Sequence, residues 1–511
     1  MRRVITSMCV LGLLGSVLAV ERINHEGRIL GPLPVVTNAV LFNTPEGDAI
    51  MSGLQIFPRD NAWNEDISRR PVLSNSAAMI SMINSELFAG GANRTNLHAF
   101  QEMNFVLVPT NQSLVPIAFT DYRDESDPSP YPFPTNTPVE GWPSQTGTNT
   151  LYTWQRDTRN VGGDRHSIVI QPGTGNIWET WMTKLIITNA SSNWIAANGA
   201  KFNINSNTLR PAGWTSADAA GLSMLGGLVR YDECQRGAVE HAVRLIVKHT
   251  RRQYIYPATH FASSPSTTNP DVPAMGQRLR LRANFVPPAN WSTPEKAIVR
   301  ALQKYGAIVA DNGNFLSFSV VPDQRWASGQ FNNLLTLAAK DFEVIQTTGP
   351  TEGPRSPGAP VVDAGADRTV ARGESIALQG SVNYTSTPPL SVNWRNYSGP
   401  NAAVLSNTNA TNATVTFNSN GVYTLMFKAD DGVHTPAYDT VVFTVGESIR
   451  AFIERDGSNV LLRWNGGSPP YQVERAATLL PTNWISLGAF TTNVATVPLQ
   501  TNAMFFRVRG Q

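Results

Sequence analysis

The stretch Thr347–Pro360 holds three Gly and four Pro with no apolar periodicity to bury. Neither a helix nor a sheet ladder can run through such a segment, and it reads as a stiff linker. The 511 residues must therefore fold as separate bodies on its two sides, and the usual ~100–200 residues per domain suggests about three. Hydrophobic residues make up 41%, enough for ordinary cores, and a slightly negative mean hydropathy excludes a polytopic membrane protein. Charged residues are 15%, well under the ~25% of typical soluble domains. The net charge is only +2 and no basic arm or face is present, which argues against a nucleic-acid partner. With 39 Gly and 35 Pro the chain reads as short strands joined by turns, a mainly β fold.

The first residues read as an address. Arg2 and Arg3 precede an apolar run from Val4 to Val17, and Val17-Leu18-Ala19 supplies a cleavage pattern. We expect a signal peptide over residues 1–19. The run is too short for an anchor and Glu21, Arg22 and His25 follow at once. No membrane span is expected after cleavage, and the expected location is secreted or cell-surface. Cys9 leaves with this segment, so Cys234 stands alone. It can make no internal disulfide, and no Cys-x-x-Cys zinc spacing exists.

Three segments are expected beyond it. Residues 20–346 form a β-rich domain with a few helices, read as a catalytic or binding domain. A helix is expected over Ser74–Leu87, where Met79, Ile80, Ile83 and Leu87 recur at helical spacing, and another over Pro294–Tyr305 behind the capping box Ser292-x-x-Glu295. Strands are expected at Ser167–Ile170, Trp181–Ile187, Val239–Val247, Arg278–Ala283 and Phe315–Val321, under loops such as Asp124–Pro143. After the linker at 347–359, residues 360–445 and 449–511 read as two small β-sandwich modules.

Particular strings support the last two assignments. Asp363-Ala-Gly-Ala-Asp367, Gly373–Gly380, Val392-Asn-Trp394 and Gly421-Val-Tyr-Thr-Leu425 before Ala429-Asp-Asp-Gly432 resemble a PKD or related immunoglobulin-like domain of bacterial exported proteins. Such modules serve as spacers or ligand-binding accessories, so the resemblance implies no catalysis there. Val460-Leu-Leu-Arg-Trp464, Pro470–Arg475, Trp484 and Phe505–Val508 resemble a small fibronectin-III-like unit. In the first domain, Ile56–Asn61, Gly163-Asp-Arg-His166, Arg210–Leu222, Gly227–Glu233, Ala258–Ser263 and Ala310–Gly313 resemble a family of exported bacterial proteins of unknown role, which carries over no catalytic residue.

Chemistry must then be read from the residues. Strand alternation puts Asp164, His166, Ile168 and Ile170 on one face; His241 stands among apolar neighbours, and His260 follows Tyr254-Ile-Tyr-Pro. Converging, the three His could exchange protons or hold zinc, although no short His spacing supports the metal. The opposing reading makes each a core histidine bonded to backbone. The carboxylates Asp164, Glu179, Asp232, Glu233, Glu240 and Asp311 are a second constellation, since glycoside hydrolysis needs two carboxyl groups, one kept protonated. Glu179 sits between Trp178 and Trp181, with Asp232 beside Tyr231 as a partner. Glu233 reads as part of a solvated turn. Elimination on uronates is a third scheme, with Arg165 neutralising the sugar carboxylate, His166 or His241 taking the proton and Tyr231 returning one.

Trp142, Trp154, Trp178, Trp181, Trp194, Trp214 and Trp326 lie in this domain, most as core and about two as sugar platforms. No nucleophile elbow, Walker A, His-Glu-x-x-His or dinucleotide fingerprint exists. Cys234, beside two acids, is a poor nucleophile. No cofactor is required; calcium at Asp124–Asp127 or zinc at the His residues stays open. The expected function is cleavage of an extracellular polysaccharide by a hydrolase or lyase. The alternative is a non-catalytic carbohydrate-binding or adhesion protein.

Overall fold

The structure is a computed structural model that describes residues 21–509, apart from 148, 160–162, 188–191, 263–266, 350–357, 448, 468, 479–482 and 499–503. The signal segment and most of the linker lie outside the described residues. One compact unit is built on Arg22–Ala359, and a second on Pro360–Gly432 with Pro436–Gln511. The fold is mainly β.

The first unit is organised by a mixed six-stranded sheet. Its strands run in the order Phe342–Val344, Arg278–Leu281, Ala307–Asn312, Val243–Val247, Ser317–Val320 and His98–Gln101. Runs such as Val243-Arg-Leu-Ile-Val247 and Ala307-Ile-Val-Ala310 suit a pleated, buried surface because branched side chains pack well there. On one face Ala99, Phe318, Leu245 and Val309 stand in register across four strands and enter the main core. The opposite face carries His98, Phe100, Ser317, Ser319, Arg244 and Ile246, as the two-residue period requires. The expected strands at Arg278–Ala283 and Phe315–Val321 are present in shorter form.

A second sheet of five strands orders Val40–Leu41, Val106–Leu107, Ser167–Gln171, Asn176–Trp181 and Asn198–Asn203. A small third sheet joins Ile117–Phe119, Ser192–Ala196 and Lys184–Ile187. The single strand expected over Trp181–Ile187 is therefore two strands in two sheets. The break falls at Met182, whose φ of 56° turns the backbone out of the extended region.

Helices cover this frame where the apolar spacing called for them. Ser76–Phe88 buries Met79, Ile80, Ile83 and Leu87, and Thr293–Lys304 starts on the Ser292/Glu295 capping box. The sequence concealed a third, short helix, Tyr231–Arg236, closed by Gly237 at φ 77°. The Glu233 carboxylate accepts the Arg230 N–H at 3.2 Å and starts it. Glu233 is thus buried, at 2% exposure, where a solvated turn was expected. Residues 239–242 do not join the strand that follows, so His241 precedes it and its alternation does not hold.

In the second unit, strands Arg368–Ala371, Ala437–Gly446, Gly421–Asp430 and Ser391–Ser398 form one sheet, and Ser375–Ala377, Thr414–Thr416 and Val404–Ser406 another. Their core centres on Trp394, stacked on Phe427 at 4.5 Å between ring centroids. The C-terminal module pairs Arg450–Asp456, Asn459–Asn465 and Val494–Pro498 in one sheet, and Ile485–Phe490, Tyr471–Ala476 and Phe505–Arg509 in the other. Trp464 and Tyr471 anchor its core.

Gly380 shows how tight the Trp394 core is. A methyl group there would meet Trp394 Cζ2 at 2.6 Å, with Phe427 behind it at 3.1 Å. Gly380→Ala is expected to destabilise the second unit by about 1–3 kcal/mol through overpacking. Thermal unfolding followed by Trp fluorescence would register the loss, and an unchanged transition would refute it.

Candidate functional site

Arg244 is the anchor of the site. Its strand position points it to the polar sheet face, where it is 1% exposed. Nε and Nη2 donate to the two Asp218 carboxylate oxygens at 2.9 Å each, and Nη2 also donates to Asp311 Oδ2 at 2.8 Å. Nη1 donates to Ser319 Oγ at 3.5 Å, and Ser319 donates in turn to Glu102 Oε1 at 3.1 Å. A planar fork can hold two carboxylates at once only in such an arrangement.

Loops from the second sheet close on this anchor. Gly141 N–H donates to the Glu102 carbonyl and Glu140 N–H to the His166 carbonyl. Glu140 Oε2 then accepts from His166 Nδ1 at 2.7 Å and from the His166 backbone N–H at 3.1 Å. His166 Nε2 donates to the Ala217 carbonyl at 2.9 Å, one residue before Asp218. Both ring nitrogens face acceptors, which fits an imidazolium. Burial works against that charge, but Glu140, with help from Asp164, holds the His166 pKa up at about 9.

Five carboxyl groups, Glu102, Glu140, Asp164, Asp218 and Asp311, thus surround two cations. Asp164 is exposed, Glu102 and Asp311 are half-buried, and the rest are inside. Burial and the nearby Glu140 push the Glu102 carboxyl up to about 7. Burial, with Asp218 and Asp164 adding to it against Arg244, pushes Asp311 up to about 6. The loop carrying Asp164 is strained. Arg165 and Met182 both sit at φ 56°, bridged by Met182 N–H to the Asp164 carbonyl and Thr183 N–H to the Arg165 carbonyl. Left-handed backbone at non-glycine residues costs roughly 1–3 kcal/mol and clusters at functional sites. Gly163 before it has no room for a side chain, since a methyl group would lie 2.4 Å from Glu140 Oε1.

Of the residues expected from sequence, Asp164, His166 and Asp311 meet here. Glu179 lies behind the centre, fully buried, accepting from Ser223 and the Met224 and Leu225 N–H groups, with burial pushing it up to about 7. His260 touches the same loop through the Ala219 carbonyl at 2.7 Å. Arg165 turns away from the centre. It is 0% exposed and donates to the carbonyls of Thr183, Trp154 and Gln155. Tyr231, Asp232 and His241 belong to a different cluster. There Arg230 pairs with Asp232 and Glu233, Arg236 with Asp232, and His241 with Glu233 and the Ala242 carbonyl.

Among the described residues no group of three or more His, Cys, Asp or Glu is arranged to hold a metal ion. In the Asp124–Asp127 run, Glu125 accepts from the Thr215 N–H, and Asp127 from the Lys201 N–H and from Arg210. Trp154, Trp178, Trp194 and Trp326 are buried, whereas Trp142, Trp181 and Trp214 are half-buried. Cys234 is buried, and burial with its acidic neighbours raises its thiol pKa well above the usual range. Glu102, Glu140, Asp218, Arg244 and Ser319 escaped the sequence reading. The one available signal was Glu102, which continues the His98-x-Phe100-x-Glu102 alternation.

The His166–Glu140 pair carries a pH signature. Folded His166 keeps its proton to about 9, whereas an unfolded His releases it near ~6.5. The stabilisation is complete below about 6.5 and is lost as pH rises through about 9. Glu102, held near 7, gives a loss in the same direction at lower pH. Calorimetric melts should fall across the upper window. His166→Gln should abolish that slope and cost about 3–5 kcal/mol at pH 6, because Glu140 is left buried without its cation.

Residues 364–445 match a family model that describes a PKD domain. The comparison with curated proteins finds no match. Among solved structures, similarity extends to the solution structure of the PKD domain from KIAA 1837 protein. That pair shares 25% identity with a TM-score of 0.15, over 20% of this chain and 91% of the other. The I-band fragment I67-I69 from titin is 17% identical with a TM-score of 0.16, over 28% of this chain and 53% of the fragment. The N-terminal eight immunoglobulin domains of Down Syndrome Cell Adhesion Molecule are 12% identical with a TM-score of 0.18, over 29% and 27%. The chain is a modular protein whose residues 364–445 are a PKD domain.

Proposed function

We propose that the first unit performs acid–base hydrolysis on a neutral extracellular polysaccharide, with the second unit as spacer or binding accessory. PKD domains are typical of extracellular and surface proteins, which supports an exported location. The observation that carries the chemistry is the convergence of Glu102, Asp164 and Asp311 around Arg244 and the Glu140–His166 pair. Hydrolysis of a glycoside asks for one carboxyl group that keeps a proton near neutrality and one that does not. Glu102 takes the first role, protonating the leaving oxygen. Asp311, steadied by Arg244, takes the second as base or nucleophile.

Elimination on uronates is less well supported. Its Arg165 is inside the fold on backbone carbonyls, Tyr231 lies in the other cluster, and a centre with five carboxyl groups repels a polyanion. His166, with both ring nitrogens engaged, positions Glu140 and does not take up a proton. A non-catalytic glycan-binding protein is the second reading. It is favoured by one observation: His166, His241 and His260 each place a ring nitrogen on a backbone carbonyl.

Reducing-sugar release from a panel of neutral polysaccharides tests the first reading. Glu102→Gln is expected to lower turnover by roughly 10²–10⁴-fold. The pH profile should be a narrow bell, rising near 6 as Asp311 ionises and falling near 7 as Glu102 loses its proton. Silence across the panel with glycan retention intact would leave the binding reading.

A further inference from the structure

Beside the acidic centre, on the same sheet face, lies an aromatic group to which the proposed chemistry assigns nothing. The edge strand His98–Gln101 pairs His98 with Ser317 and Phe100 with Ser319. Ser319 is the residue that bonds both Arg244 and Glu102. Period-two alternation then sets His98, Phe100 and Glu102 in one row, successive members roughly 7 Å apart.

The His98 and Phe100 rings lie nearly parallel, at 27° with centroids 5.6 Å apart. Phe315 braces both edge-on, at 4.7 Å from His98 and 5.6 Å from Phe100. Arg94 sits 5.4 Å over the Phe315 ring, and His98 Nε2 is fixed on the Asn93 carbonyl at 2.9 Å. Each of the three rings is half-buried, so the group is braced from behind and open in front. Ala99, between them, packs on the core, which pins the strand and the direction of the row.

We propose that Phe100 with His98 is a sugar-ring platform of the acidic centre, holding a neutral pyranose one residue away from the bond beside Glu102. An aromatic face takes the apolar C–H face of such a ring, while the neighbouring carboxylates accept from its hydroxyl groups. The excess of carboxyl groups selects against phosphorylated or uronic-acid ligands. The proposal rests on the hydrolytic reading for its substrate class, and its test separates the two.

The full chain is titrated calorimetrically with four neutral hexasaccharides (cellohexaose, xylohexaose, mannohexaose and chitohexaose), in parallel with turnover assays. Phe100→Ala is expected to weaken binding of the recognised sugar about tenfold, the scale of one lost ring contact, and to raise KM with kcat little changed. Phe100→Trp should bind at least as well as the parent. If Phe100→Ala fails to fold, Phe100→Leu keeps the apolar volume without the ring face and decides the matter. Turnover abolished by Glu102→Gln with binding and KM untouched in the Phe100 variants would overturn the platform and spare the hydrolytic reading. Binding weakened by Phe100→Ala, with no turnover of any sugar, would support the platform and sink that reading. No binding of any hexasaccharide by the parent would overturn the platform.

Discussion

The bidentate grip of Arg244 on Asp218 is the interaction on which the first unit's centre depends. A guanidinium 1% exposed is tolerable only when its charge and its N–H donors are all answered. Asp218, Asp311 and Ser319 answer them, and in doing so tie three chain segments to one strand. The Asp218 loop is fixed further by the Ala220 N–H on the Ala310 carbonyl and by the Thr259 N–H on the Ala220 carbonyl. A point charge on a flexible stem could not replace the fork. The same logic explains why only 7 of the 40 basic residues are Lys: Arg230 and Arg278 are also buried in ion pairs, and Arg165 is buried on backbone carbonyls.

The second ion pair, Glu140 with His166, does for the loops what Arg244 does for the sheet. Glu140 comes from a long Pro-rich connection with little regular structure of its own. Its carboxylate meets the ring and the backbone N–H of the same histidine, while its own N–H is spent on the His166 carbonyl. Three bonds between two residues fix a loop that side-chain packing alone would leave loose. The cost is that His166 is no longer available as a base, and the proton chemistry falls to the carboxylates nearer the surface.

The parts of this legible in the sequence were those set by local pattern. Helical spacing located Ser76–Phe88, the Ser292/Glu295 box located the next helix, and Gly and Pro punctuation separated the units. The PKD strings identified the domain at residues 364–445. What was not legible was set by pairing across the chain. Asp218 and Arg244 are 26 residues apart, Glu102 and Ser319 are 217 apart, and no spacing announces either pair. His241 was misplaced for a related reason. Its apolar alternation imitates a strand, but its ring serves the Ala242 carbonyl and Glu233, which keeps residues 239–242 out of the ladder.

The strained loop at Asp164 shows where the two sheets impose competing demands. Strand alternation alone would send Asp164 inward beside His166. Arg165 instead takes a left-handed conformation, Met182 does the same opposite it, and Asp164 is released to the surface while His166 stays inside. Gly163 is the hinge that makes this possible, because a side chain there would strike Glu140. A carboxylate at the rim and a buried imidazolium two residues away cannot both be had from a regular strand. The fold accepts local strain to obtain them, and the residue that gains exposure is an acid standing within electrostatic reach of Asp311 and His166. A loop serving packing alone would have followed the alternation. Departing from it at two non-glycine residues is what marks this corner as a site and not merely a connection.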